Sequence, residues 1–274
     1  MTAGQALLEL SGIEKSFHRV GAPPVHAVKA VDLVVGCGET VALVGESGSG
    51  KSTLGRIALC LLRPDAGTVR LAGQVLSDLP QARLRQARIA MQPIFQDPSG
   101  SFNPRRTVLE LLGQALQLRQ VADIPGVAIR LLEDVGLRPA PMLLSRLPHE
   151  LSGGQRQRLA IARALAMDPM LIIADEPLSG ADVSIRGQLL NLLGDLQARR
   201  GVAYLMITHD ISIARSFAHR VAVMMNGEIV ETGPAADVLS RPTHAYTRRL
   251  LAAVPTLRRG PSSDRQSDQA TGAS

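Results

Sequence analysis

Residues 45-GESGSGKST-53 place Gly45, Glu46, Ser47, Gly48, Ser49, Gly50, Lys51, Ser52 and Thr53 between two apolar runs, 41-VALV-44 and 54-LGRIALCLL-62. The series satisfies G-x-x-x-x-G-K-S/T, with a strand pattern before it and a helix pattern after it. Its glycines let backbone N–H groups wrap β- and γ-phosphates without Cβ clashes. A helix starting near Lys51 turns the positive end of its dipole toward the same anion. Lys51 adds a mobile charge, and the Ser52 hydroxyl suits Mg²⁺. The chemistry is phosphate binding.

A second candidate is 170-MLIIADEP-177, an apolar strand that ends in two carboxylates. Carboxylates there are costly unless they meet a cation. Asp175 is read as holding Mg²⁺ through water, which leaves Glu176 to deprotonate an attacking water. A third is 151-LSGGQRQRLAIARAL-165, where Ser152, Gly153, Gly154 and Gln155 open a helix and offer another set of unpaired N–H groups.

These residues must be positioned by α/β elements. Near-continuous apolar runs at 40–45, 170–175, 203–208 and 221–226 read as strands of a parallel sheet. Helical periods at 51–62, 182–199 and 210–218 alternate with them. Runs 6–10, 26–35 and 67–73 read as further strands, with 21-GAPP-24 as a loop. Segments 107–120, 127–136 and 155–167 are helical in period, broken at 124-IPG-126, 139-PAP-141 and 148-PHE-150, and read as an inserted helical subdomain over about 99–166. Residues 257–274 are polar and predict a disordered tail after one domain over 5–256.

Composition narrows the classes. Aromatics make up 2 % of the 274 residues, so the core falls to aliphatic side chains. The net charge of +6 rests on scattered arginines, which argues against a nucleic-acid interface. Cys37 and Cys60 have neither disulfide nor zinc spacing, and Cys60 falls in an apolar run that predicts core. The N-terminus shows no secretory leader pattern, and no apolar run reaches the ~20 residues that span a bilayer. The absence of N-K-x-D excludes a guanine-reading GTPase.

LSGGQ, together with the phosphate loop and the 170–177 strand, resembles the ATP-binding cassette (ABC) ATPases over about residues 7–255. The resemblance implies a P-loop NTPase fold with a RecA-like core, an N-terminal antiparallel β subdomain and an inserted α-helical subdomain. It implies ATP and Mg²⁺ as cofactors, with Ser152–Gln155 of one subunit closing on the γ-phosphate held by another. Gln96 in 94-IFQDP-98 matches the glutamine that senses Mg²⁺ and water. His209 in 207-ITHD-210 matches the switch histidine. Phe17 matches the aromatic that stacks on adenine, and reads equally as a core residue. Asp182 in 179-SGAD-182 matches the D-loop aspartate, although Gly180-Ala181 depart from the usual apolar pair.

Stretches 97-DPSGSFNPRRTV-108 and 241-RPTHAYTRRLLAAVP-255 are similar to the oligopeptide/dipeptide/nickel import branch, with Ala245 where that branch has proline. This implies a second ATPase subunit in a heterodimer or homodimer, two membrane permeases and a solute-binding protein. It places the chain at the cytoplasmic face of the membrane. A soluble ABC ATPase acting on nucleic acid or ribosomes, and an exporter ATPase, are the alternatives.

Overall fold

The computed structural model describes residues 5–19, 21–97, 99–179 and 183–253. Asp182 and the 257–274 tail therefore lie outside the described residues.

Strands β1 (Ala6–Arg19) and β2 (Ala22–Gly36) precede β3 (Thr40–Val44) and α1 (Lys51–Ala58). Next come β4 (Ala66–Leu71), β5 (Gln74–Val75), α2 (Gln81–Ala87) and β6 (Met91–Ile94). Four helices follow, α3 (Val108–Leu118), α4 (Ile124–Asp134), α5 (Ala140–Leu143) and α6 (Gly153–Ala166). The chain continues with β7 (Leu171–Asp175), α7 (Val183–Arg200), β8 (Ala203–Thr208) and α8 (Ile211–Phe217). It then adds β9 (Arg220–Met225), β10 (Glu228–Pro234), α9 (Ala235–Ser240) and α10 (Ala245–Ala252).

Two sheets result. One is antiparallel, in the order β2-β1-β4-β5, and the other runs β10-β9-β3-β8-β7-β6. In the second, β9, β3, β8, β7 and β6 are mutually parallel and β10 returns antiparallel on β9. Strands β3 and β8 are buried along their whole length, as expected for strands covered on both faces. One core cluster joins the antiparallel sheet to the parallel one through Leu8, Leu10, Leu43, Leu54 and Ile57. Another packs α3, α4 and α6 through Leu112, Leu132 and Leu159 against Ile172 and Tyr204.

Several boundaries differ from those read in the sequence. Helix α1 stops at Ala58, not at residue 62: Cys60 takes φ +52° and the Leu61 N–H returns to the Arg56 carbonyl, closing the helix. Cys60 is thus a half-buried residue beyond the helix end, and burial pushes its thiol up to about 11. The 124-IPG-126 break is instead the start of α4. Its proline sits in the first turn, where no N–H is needed, and the Asp123 side chain accepts the Gly126 N–H at 2.9 Å. The 21-GAPP-24 loop shrinks to a turn at Gly21, φ +78°, because β2 already begins at Ala22.

Candidate functional site

Register brings the chemistry together. Asp175 pairs with Ile207, and Ile207 pairs with Leu43, so β7, β8 and β3 end side by side. The carboxyl edge of such a sheet is where open α/β folds bind ligands. From that edge leave the 45–50 loop after β3, Glu176 after β7 and His209 after β8. They border two cavities. The first, about 490 Å³, is lined by Ser47, Gly48, Gly50, Lys51, Ser52, Thr53 and Glu176, and also by His26, Lys29 and Asn226. The second, about 270 Å³, is lined by Gln96, Glu176, Ser179, Thr208 and His209. Glu176 borders both.

The loop 45–50 is shaped by close backbone approaches. Gly50 caps α1 at φ +108°, and a Cβ there would stand 2.2 Å from the Ala27 carbonyl oxygen. Gly45, at φ +156°, would place one 2.2 Å from the Met224 carbonyl oxygen. The buried Lys51 ammonium donates to Gly45 O at 2.8 Å, Glu46 O at 2.6 Å and Ser49 Oγ at 3.3 Å. Burial lowers its pKa from the ordinary lysine value, and the charges of Glu176, Asp175 and Glu46 work against that. The arrangement concentrates one positive charge and the amides of a helix start at one point.

Ser52 Oγ donates to Asp175 Oδ1 at 3.1 Å. Burial raises the Asp175 carboxyl above its usual range; the Ser52 bond opposes this and the Glu176 charge adds to it. A desolvated carboxylate bonded to a hydroxyl beside a phosphate loop fits Mg²⁺, which takes one or two protein oxygens and completes its shell with phosphates and water. Among the described residues no group of three or more His, Cys, Asp or Glu could cage a metal without such help.

Glu176 takes φ +48°, a strained conformation for a non-glycine residue and one that clusters at functional sites. Its N–H donates to Ile207 O at 2.8 Å, and its Oε1 lies 2.8 Å from His209 Nδ1. The histidine side chain is 60 % exposed and the glutamate 22 %. His209 thus meets Glu176 directly and stays open to solvent.

Other expected residues lie elsewhere. Ser152 caps α6 by accepting the Gln155 N–H at 3.3 Å, while Gln155 Oε1 accepts the Ser152 N–H at 2.9 Å. None of Ser152, Gly153, Gly154 or Gln155 lines either cavity, so a single chain does not bring this helix start to its own 45–50 loop. Phe17 is on β1, 41 % exposed rather than in the core, with Lys15 Nζ 6.0 Å from its ring centre. It does not line the larger cavity, whereas its cross-strand neighbour Val25 does.

Asn226 and Gly227 also line the first cavity, and their Asn-Gly dipeptide is a hairpin signal in the sequence. Asn226 and Gly227 both take positive φ, and the Gly227 N–H donates to Ser49 O at 2.9 Å, tying the β9–β10 turn to the loop.

A family model described as "ABC transporter" matches residues 28–179, and one described as "Oligopeptide/dipeptide transporter, C-terminal region" matches 230–272. The glutathione import ATP-binding protein GsiA of Salmonella typhimurium is 47 % identical over 262 residues, 92 % of this chain and 42 % of that protein. The same protein of Escherichia coli K12 is 50 % identical over 234 residues, 84 % of this chain and 37 % of that protein. The chain thus spans about two fifths of the length of these relatives. A dimeric ATP-binding cassette solved in a post-hydrolysis state with ADP and Pi superposes with a TM-score of 0.76 at 31 % identity, covering 84 % of this chain and 99 % of that one.

Proposed function

Because the chain belongs to the ABC transporter family, as an ATP-binding and ATP-hydrolysing cassette, we propose that it energises import of small peptides across a membrane. The match of residues 230–272 to an oligopeptide/dipeptide transporter region carries this reading, and the glutathione import relatives support it. Nickel is the second cargo.

In this reading the amides of Gly48–Thr53 and the Lys51 ammonium bind the ATP phosphates. Ser52 and Asp175 would hold Mg²⁺, which would supply neutralising charge at the phosphates, and Gln96 would sense it. Glu176 accepts the proton of the attacking water, and its 2.8 Å contact with His209 holds the carboxylate in one orientation. Ser152–Gln155, which line neither cavity of this chain, serve the loop of a second cassette, a role that Asp182 shares. ATP then favours the closed pair, and loss of the γ-phosphate removes that preference. Val25, the cross-strand neighbour of Phe17, borders the cavity where the adenine would lie, and Phe17 itself does not. Residues 5–256 form the cassette, docked on two permeases at the cytoplasmic face. Among the described residues no helix is long and apolar enough to cross a membrane.

The test is to tag the protein in its own cells, solubilise them in mild detergent and identify what co-purifies. Two polytopic permeases and a second cassette are expected, with the permeases' partners narrowing the cargo. Ribosomal proteins or nucleic acid without any membrane protein would overturn the importer reading.

A further inference from the structure

The peptide unit joining Gly45 to Glu46 is held from both sides. Its carbonyl, on Gly45, accepts Lys51 Nζ at 2.8 Å. Its N–H, on Glu46, donates to the Tyr246 hydroxyl oxygen at 3.0 Å, across 200 residues of sequence. The unit is planar and trans, so the two groups point in opposite directions and a rotation of the plane breaks both bonds together. We infer that Tyr246 is a positioning residue for ATP binding: its hydroxyl orients the 45–46 peptide, and through that carbonyl it places the Lys51 ammonium.

The tyrosine is built to hold a fixed point. It is 5 % exposed, and its ring packs in a cluster with Val44, Val223 and Ile211, directly behind the strand that leads into the loop. Its helix, α10, is pinned at the start. Glu231 of β10 accepts the Thr243 N–H at 2.8 Å, the Thr243 hydroxyl at 2.9 Å and the His244 N–H at 3.1 Å. His244 Nδ1 caps the helix by accepting the Tyr246 N–H at 3.2 Å. The hydroxyl therefore cannot follow the loop if the loop moves. Lys51 in turn is buried among three acceptors, so its position depends on where their oxygens are aimed. Packing accounts for the ring of Tyr246, but among the described residues only the bond to Glu46 uses the hydroxyl.

The inference rests on reading residues 45–53 as the ATP site, and the experiment separates the two. Tyr246→Phe keeps the ring and removes the acceptor. In the full chain, Kd and KM for Mg-ATP should rise about 3- to 10-fold, as for one lost hydrogen bond, with kcat changing less. The Glu46 amide should exchange faster with solvent, and the nucleotide-free melting temperature should stay within about 3 °C. Unchanged ATP affinity in Tyr246→Phe, with affinity lost in Lys51→Ala, overturns the positioning role alone. So does a lower melting temperature with Glu46 exchange unaltered. Unchanged affinity in Lys51→Ala overturns the site assignment itself.

Discussion

Two glycines of one loop offer a controlled comparison. Both Gly48 and Gly50 have positive φ, +81° and +108°, but a Cβ on Gly48 meets nothing within 4 Å. A Cβ on Gly50 stands 2.2 Å from the Ala27 carbonyl oxygen and 2.8 Å from Met224 Cε. The methionine end can swing away. The carbonyl cannot, because β2 is locked into the antiparallel ladder and the Lys29 N–H is bonded to Gly227 O at 2.8 Å. The carbonyl contact falls short of the ordinary 3.4 Å by more than about 1 Å. Gly48→Ala should therefore cost only the conformational penalty, about 1 kcal/mol. Gly50→Ala adds overpacking to a larger backbone strain, together about 3–4 kcal/mol. At about 2–4 °C per kcal/mol, Gly50→Ala should melt about 5–10 °C below Gly48→Ala by calorimetry without nucleotide. Melting points within about 2 °C of each other would show that the Ala27 contact does not constrain the loop, and the reasoning would fail.

Glu176→Gln keeps the side chain's size and removes the proposed base, so nucleotide binding should persist while phosphate release falls about 10²- to 10⁴-fold; equal rates for both proteins would remove Glu176 from the proposed mechanism. Hydrogen bonding from Thr243 and His244, with the buried Thr247 facing the same carboxyl, holds Glu231 down to about 2 against a desolvation that opposes it. A depressed carboxylate stabilises the fold above its unfolded pKa, and that contribution is lost as pH falls through the folded value. Denaturant titrations from pH 5 to pH 2 should therefore show a decline that Glu231→Gln flattens. The Cys60 thiol, pushed up to about 11 by burial, should alkylate with a rate rising about tenfold per pH unit from pH 7.5 to 9.5; a plateau in that range would contradict the burial argument.

The candidate phosphate residues stand out in the sequence because their pattern depends on local order. A glycine-rich turn, a lysine and a hydroxyl, the groups assigned here to phosphate, stand within nine consecutive positions, and Asp175-Glu176 follow directly on an apolar strand. The parallel strands were legible for a related reason: burial on both faces makes each one a continuous apolar run. Strands β6 and β10 were not seen, because both are short or polar and their pairing is set by neighbours far along the chain. Phe17 could be read two ways, since its type alone cannot say which face of β1 is solvent; the sheet order decided that it is exposed.

Residue order by itself thus marked which groups are candidates for phosphate chemistry, because types and spacings along one chain set local backbone geometry and charge. Only the tertiary structure decided which of them meet. The register that aligns Asp175 with Leu43, the contact of His209 with Glu176 and the grip of Tyr246 on Glu46 all join positions that no local pattern connects. They arise from packing several elements at one sheet edge, where the burial of each depends on all the others.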